Sequence, residues 1–93
     1  MNRLEKIEYI KKEVSQYIDK ELNESLSKDD LEHLKSIGGS IIADYHDILP
    51  GGGFVRAFND NKLEQTFNYA DRIIRNHILL LIKMKTNINL FEL

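Results

Sequence analysis

The feature that most constrains this chain is where its helix and strand breakers lie. It has one proline and five glycines in 93 residues, and four of these six residues form the run Pro50–Gly53. Because proline and glycine interrupt regular structure most strongly, a chain that gathers them in one place should form long elements on both sides. The length is enough for one domain with a thin core. A single domain over residues 1–93 is therefore predicted.

The first element is predicted to be an amphipathic helix from about Asn2 to Glu24. Apolar residues recur there at steps of three and four, which places them on one face of a helix with 3.6 residues per turn. They are Leu4, Ile7, Ile10, Val14, Ile18 and Leu22.

A second long amphipathic helix is predicted from about Lys28 to Ile48. Ser27 stands in the position of an N-cap, and Asp30 follows in the first turn, where the helix dipole favours negative charge. The pair Gly38-Gly39 falls inside the apolar pattern. Either the helix continues and the glycines let a neighbouring element approach closely, or it kinks there. Continuity is favoured because the apolar spacing keeps its phase across the pair.

After the Pro-Gly corner, the sequence predicts a short helical turn from Phe54 to Phe58 and a long apolar third helix from about Lys62 to Lys85. Asn61 and Glu64 have the spacing of a capping box at its start. Within it, the run Ile78-Leu79-Leu80-Leu81-Ile82 is apolar on every face. A chain this short has few elements to cover such a helix, so these five residues are predicted to form the interface of a homo-oligomer.

The end of the chain, Asn87 to Leu93, is too apolar for a free tail. We expect it to dock on the core or on a neighbouring subunit. The fold class predicted is thus a small all-α helical bundle, and we expect it to assemble into a homodimer or a larger ring.

Charge and composition narrow the classes of function. The net charge is −2, with seven Lys and Arg against eleven Asp and Glu in residues 1–50 and six against four in residues 51–93. DNA is therefore an unlikely partner, and a polyanion would be expected at the second half. The absence of cysteine, of a signal peptide and of a long apolar run favours a soluble, cytoplasmic protein without a membrane partner.

One candidate binding site is the corner between the second helix and the short turn. Glycines in front of a helix leave backbone N–H groups uncovered, and these can hold a phosphate or nucleotide. The residues predicted to take part are His46, Gly51, Gly52, Gly53, Phe54 and Arg56. The alternative is a tight structural corner whose glycines fit unusual backbone dihedrals and whose Phe54 side chain acts as a hydrophobic plug.

A second candidate site is the basic pair Arg72 and Arg75. Asp71 and Arg75 are four residues apart and can form an ordinary ion pair on one helix face. Alternatively, Arg72 and Arg75 bind an acidic or phosphate-bearing partner.

No catalytic or metal site is predicted. The three histidines have no metal-ligand spacing: His33 is expected on a solvated face, and His77 is expected to be partly buried with its hydrogen bonds satisfied. Without cysteine or a recognisable serine nucleophile, an enzyme is not expected, and no cofactor is implied.

From Tyr45 to Asp71 the sequence resembles a family of small conserved proteins encoded in bacteriophage genomes. The shared run reads roughly Tyr, two residues, Ile-Pro, Gly-Gly-Phe-Leu/Val, then Ala, Asn-Asp-Leu and Ala-Asp. The matching residues are Tyr45, Ile48, Pro50, Gly52, Gly53, Phe54, Val55, Ala57, Asn61, Leu63, Ala70 and Asp71. The chain departs from the pattern by inserting Leu49, by having Lys62 where the family usually has Asp, and by lacking the closing Trp-Gly segment.

The resemblance implies a phage or prophage gene carried as an accessory. Small helical phage proteins often act on host defence, either by binding a host protein or by sequestering a small anionic signalling nucleotide. The inference that this chain does so is an analogy. The function predicted is therefore non-enzymatic neutralisation of a host defence factor, with residues 50–56, Arg72 and Arg75 at the contact. The alternative is a structural or assembly protein whose partner is itself or a virion component.

Overall fold

A computed structural model describes residues 1–88 of the chain, and every regular element in that part is a helix. The bounds of the helices are α1 Arg3–Glu21, α2 Lys28–Tyr45, α3 Gly53–Asn59, α4 Leu63–Tyr69, α5 Arg72–Asn76 and α6 Ile78–Asn87. The all-α class predicted from the sequence is confirmed. The prediction for the segment that begins at Asn87 falls largely on residues 89–93, which lie outside the described residues.

Helix α1 begins where its sequence provides a capping box. Asn2 Oδ1 accepts the backbone N–H of Glu5 at 2.8 Å, and the Glu5 carboxylate accepts the N–H of Asn2 at 3.4 Å. These bonds satisfy two groups that a helix N-terminus otherwise leaves unpaired. The predicted apolar face is buried from Ile10 onward, whereas Leu4 near the N-terminus is exposed.

Helix α2 starts as predicted, with Ser27 Oγ accepting the N–H of Asp30 at 3.1 Å. It continues through Gly38-Gly39 without a break. A Cβ added to Gly38 would lie 2.9 Å from Val14 Cγ1 and 3.1 Å from Met84 Sδ. Gly38 therefore lets α1 and α6 pack closely on α2, which is the first of the two alternatives considered for this pair.

The same C-terminal motif ends both α2 and α3. After α2, Asp47 has φ 56°, and the N–H of Ile48 donates to the carbonyl of Ala43 at 2.9 Å. After α3, Asn61 has φ 60°, and the N–H of Lys62 donates to the carbonyl of Ala57 at 2.9 Å. This six-to-one hydrogen bond around a left-handed residue is the Schellman motif. It ends α2 before Ile48, the predicted limit, and makes Asn61 the end of α3 instead of the cap of the next helix.

The long third helix predicted over residues 62–85 is corrected by the structure, which divides this stretch into α4, α5 and α6. Ala70 is extended, and Asp71 serves as a new N-cap by accepting the N–H of Ile74 at 2.9 Å. His77, with φ −122° and ψ 18°, separates α5 from α6. A short polar side chain that can cap a helix competes with helix continuation, and here the cap prevails.

Side chains from other parts of the chain hold both breaks. At the first break, His33 Nε2 lies 2.6 Å from Asp71 Oδ2. At the second, the buried His77 ring lies 2.6 Å from the Ile73 carbonyl through Nδ1 and 2.6 Å from Glu24 Oε1 through Nε2. The expectation that His77 is a satisfied, largely buried imidazole is therefore confirmed. The breaks allow residues 63–87 to fold back over the α1–α2 pair.

The apolar run in α6 is partly covered by this arrangement. Ile78 and Leu81 are buried, and Leu80 is half-buried against the core. Leu79 is 63% exposed and Ile82 is 46% exposed. Of the five residues in the predicted interface run, only Leu79 and Ile82 are therefore exposed in a single molecule.

Candidate functional site

The Pro-Gly corner is closed by a carboxylate of the chain itself. The N–H of Gly51 donates to Asp44 Oδ1 at 3.0 Å, and Arg56 Nε lies 3.6 Å from the same oxygen. The other oxygen, Asp44 Oδ2, accepts a hydrogen bond from Asn59 Nδ2 at 2.9 Å. An internal carboxylate thus takes one of the glycine N–H groups for which the sequence suggested an external anion, while no side chain caps the start of α3 within the described residues.

These contacts stabilise the ionised form of Asp44. The hydrogen bond from Asn59 lowers the pKa of Asp44 most; burial opposes this, and the Gly51 N–H and the Arg56 guanidinium reinforce it. The Asp44 side chain is only 12% exposed. A half-buried, ionised and multiply bonded carboxylate is a structural element of the corner.

The glycines of the corner act through space rather than through dihedral angles. None of the glycines in residues 1–88 has a positive φ, so the glycines do not adopt the unusual dihedrals expected of them; Asp47 takes the left-handed conformation at this corner instead. An added Cβ at Gly51 would overlap the side chain of Val55, whereas Gly52 faces open space. Phe54 is buried as the predicted plug, and His46 and Arg56 are exposed. The buried Phe54 side chain agrees with the structural alternative for this corner, whereas the glycine dihedrals differ from it.

The two arginines of the second predicted site, Arg72 and Arg75, have different environments in the structure. Arg75 Nη2 donates to the carbonyls of Phe67 at 3.1 Å and Ala70 at 3.3 Å, so it caps the end of α4. The predicted ion pair with Asp71 is replaced by this cap and by the contact of Asp71 with His33. Arg72 is exposed, and within the described residues no hydrogen bond or ion pair joins it to the corner. The structure therefore does not bring the predicted ligand residues together around one point.

A cleft that the sequence did not predict lies where α6 faces the loop and helix after α3. Its volume is about 520 Å³, within the range of ligand-binding clefts. Its walls combine two aromatic rings, aliphatic side chains and one lysine. The lining residues are Tyr45, Phe58, Asn61, Leu63, Thr66, Ile78, Ile82, Lys85 and Thr86.

Lys85 is the only charged residue that lines this cleft within the described part of the chain. Its ammonium lies 4.6 Å from the centre of the Tyr45 ring and 5.7 Å from that of Phe58, so both contacts are cation–π interactions. Burial lowers the pKa of Lys85, while the carboxylates of Asp44 and Asp60 oppose that shift. Among residues 1–88, no acceptor or carboxylate lies within hydrogen-bonding or ion-pairing distance of its Nζ atom. We call this the Lys85 cleft.

Exposed apolar side chains extend from both walls of the Lys85 cleft. On α4, Leu63 is 69% exposed, and Phe67 lies one turn further on the same face. On α6, Ile82 lines the cleft, and the exposed Leu79 lies one turn before it. Leu79 lines a separate groove beside the end of α1, so the exposed apolar side chains next to the cleft are Leu63, Phe67 and Ile82. Exposed apolar side chains next to a polar group are typical of a binding surface.

Sequence reasoning missed Lys85 and Tyr45 because they are forty residues apart and no local pattern joins them. One signal was present: Ile78, Ile82 and Lys85 follow each other at steps of four and three, so they share a helix face. Tyr45, Asn61 and Leu63 also belong to the run that resembles the phage family. Three residues of that run therefore line one cleft.

No group of three or more histidine, cysteine, aspartate or glutamate side chains in the described residues is placed to hold a metal ion. None of the helices described is both long and apolar enough to traverse a lipid bilayer. No protein family, curated protein or solved structure matches this chain. Its function must be argued from its own geometry.

Proposed function

We propose that this chain is a non-enzymatic accessory protein of a phage or prophage that binds and neutralises a host defence factor in the bacterial cytoplasm. The observation that carries the proposal is the Lys85 cleft, with an ammonium group that lacks a partner within residues 1–88 and exposed apolar side chains on both walls. The phage origin and the link to host defence come from the resemblance of residues 45–71 and remain an analogy.

Of the two kinds of factor, a host protein is favoured over a signalling nucleotide. A nucleotide needs several donors or cations around its phosphates. Asp44 already uses the N–H of Gly51 and faces Arg56, and Arg75 donates to backbone carbonyls. The Lys85 cleft offers one cation and a large apolar surface, a combination typical of protein recognition.

The proposal is tested by expressing the chain in bacteria that carry defined anti-phage defence systems and measuring the efficiency of plating of a sensitive phage. The wild-type chain should restore plating on at least one of these strains. Leu63→Ser should abolish this effect, whereas Leu4→Ser should leave it intact, because Leu4 is 68% exposed but does not line the cleft. Equal activity of the two variants would place the contact elsewhere.

A calorimetric titration of the purified chain with cyclic dinucleotides examines the nucleotide alternative. We expect no heat of binding. Saturable binding near one ligand per subunit or per subunit pair would favour nucleotide sequestration, and Arg56→Ala and Arg72→Ala would then show whether the corner or α5 holds the ligand.

A second candidate function is assembly with copies of itself or with a virion component. The observation that favours it is the exposure of Leu79, which lies in the predicted interface run from Ile78 to Ile82. Light scattering at high micromolar concentration distinguishes the two candidates. A homo-oligomer that Leu79→Ser converts to a monomer would favour assembly, whereas a wild-type monomer would exclude it at that concentration.

A further inference from the structure

We infer that the Lys85 cleft binds an acidic, apolar peptide segment of another protein, with a glutamate or aspartate carboxylate on the Lys85 ammonium and neighbouring leucine or phenylalanine side chains against Leu63 and Ile82. This inference rests on the proposed function, because it names the class of partner for the same surface. Three properties of the cleft carry it: a cation without a hydrogen-bond or ion-pair partner in residues 1–88, a local charge that favours a monoanion over a dianion, and exposed apolar side chains at its walls.

The first property is the state of the Lys85 ammonium. A half-buried ammonium normally gains a carboxylate or several hydrogen-bond acceptors, because desolvation is otherwise uncompensated. In the described residues, Lys85 has only the faces of Tyr45 and Phe58, at 4.6 and 5.7 Å. A ligand carboxylate would supply the missing acceptor and leave both ring contacts in place.

The second property is the charge around Lys85. The carboxylates of Asp44 and Asp60 are close enough to favour the charged form of Lys85. They would repel a phosphate group, which carries up to two negative charges, more than a single carboxylate. The local balance thus favours a monoanion. Glutamate and aspartate are the side chains that provide one.

The third property is the extent of the apolar surface. Leu63 and Ile82 expose apolar surface at the two walls, and Phe67 adds to it one turn further along α4. The two threonine hydroxyls in the cleft are already used within the chain: Thr66 donates to the Lys62 carbonyl at 2.7 Å and Thr86 to the Ile82 carbonyl at 3.0 Å. A small aromatic acid would fill the cleft but leave the outer residues uncovered. A peptide with apolar side chains on both sides of its acidic residue would cover them.

The binding test uses the full chain and a fluorescein-labelled peptide that carries leucine, phenylalanine and glutamate on one helical face. A control peptide has glutamine at every glutamate position. Fluorescence anisotropy should show saturable binding of the acidic peptide and about tenfold weaker binding of the control, the effect of losing one partly desolvated ion pair. Equal affinity for the two peptides would overturn the assignment of Lys85 as the carboxylate ligand.

Two matched pairs of variants locate the peptide. Lys85→Gln should weaken binding of the acidic peptide about tenfold, whereas Lys83→Gln, on the same helix but outside the cleft, should change it less than twofold. Leu63→Ser should weaken the binding of both peptides, whereas Leu4→Ser should leave the binding of both unchanged. Equal effects within either pair would overturn the location, and far-UV circular dichroism confirms that each variant is folded.

Two further outcomes separate this inference from the alternatives. Sedimentation of the chain without peptide should show a monomer, whereas an oligomer that the peptide dissociates would place a second copy in the cleft and overturn the inference. Peptide binding without any effect on phage plating would support the cleft ligand and refute the proposed function. Restored plating without peptide binding would support the proposed function and refute the cleft ligand.

Discussion

The carboxylate of Asp44 should be a main source of stability for the corner between α2 and α3, and Asp44→Asn tests this. The carboxylate accepts the Gly51 N–H at 3.0 Å and the Asn59 amide at 2.9 Å. An asparagine can accept only one of these donors and turns its own N–H₂ toward the other. The loss is one charge-assisted hydrogen bond, about 1.5–3 kcal/mol, plus a weak ion pair with the exposed Arg56. We expect the variant to lose about 2–3 kcal/mol of unfolding free energy.

Urea unfolding followed by circular dichroism at pH 7 measures this loss. With a slope of about 1 kcal/mol per molar urea for a small domain, the midpoint should fall by about 2 M. The matched control is Asp47→Asn, three residues away on an exposed side chain, where both residue types tolerate the left-handed backbone. A loss for Asp44→Asn below about 0.5 kcal/mol, or one equal to the control, would refute the role given to this carboxylate.

Three other predictions concern the same framework. First, hydrogen bonds lower the pKa of Asp44 in the folded state, so its stabilisation is complete above pH of about 4, where the unfolded chain is also ionised, and is lost as the pH falls through the lowered pKa. The stability difference between wild type and Asp44→Asn should therefore shrink below pH 4, and a difference that is constant from pH 7 to pH 2 would contradict this. Second, Gly39→Ala should raise the free energy of unfolding by about 0.5–1 kcal/mol because its added methyl group meets open space, whereas Gly38→Ala should lower it by about 1 kcal/mol because its methyl group would contact Val14. If urea unfolding shows that both substitutions change stability in the same direction, close packing at Gly38 is contradicted. Third, Asp71→Ala should remove the N-cap of α5 and cost about 1 kcal/mol, or 4–8 °C in the melting temperature, whereas Arg72→Ala should have little effect; equal melting temperatures would show that the cap is dispensable.

The N-terminal half of the fold could be predicted because its signals are local. In α1 and α2, apolar spacing and N-cap residues lie within a few residues of the structure they determine. Helix α1 begins beside Asn2, near its predicted start, and α2 begins after the predicted cap, Ser27. The end of α2 was harder to predict from the sequence. It depends on Asp47 adopting a left-handed conformation, which aspartate does far less often than glycine.

The C-terminal half was harder because its apolar spacing fits one continuous helix. The breaks at Ala70 and His77 are stabilised by His33 and Glu24, which lie far away in sequence. Only Asp71, a favourable N-cap residue, marks a break locally. Tertiary contacts therefore override a helical pattern that is consistent over more than twenty residues.

The candidate site shows the same division between local and distant information. The glycine run suggested an external anion, but the N–H of Gly51 binds the carboxylate of Asp44, which precedes the run by seven residues and belongs to no local sequence motif. The Lys85 cleft joins residues from α2, α3, α4 and α6. Lys85 follows an apolar run, and a lysine in that position is typical of the last turn of an amphipathic helix.

The open space beside Gly52 gives experimental access to this molecule. The chain contains no cysteine, so Gly52→Cys would introduce a single thiol. Because an added Cβ at this exposed position meets no atom within 4 Å, a fluorophore attached there should leave the packing of the neighbouring helices unchanged. The labelled protein would report on the corner that Asp44 closes, and its emission would follow acid unfolding and partner binding without any further substitution.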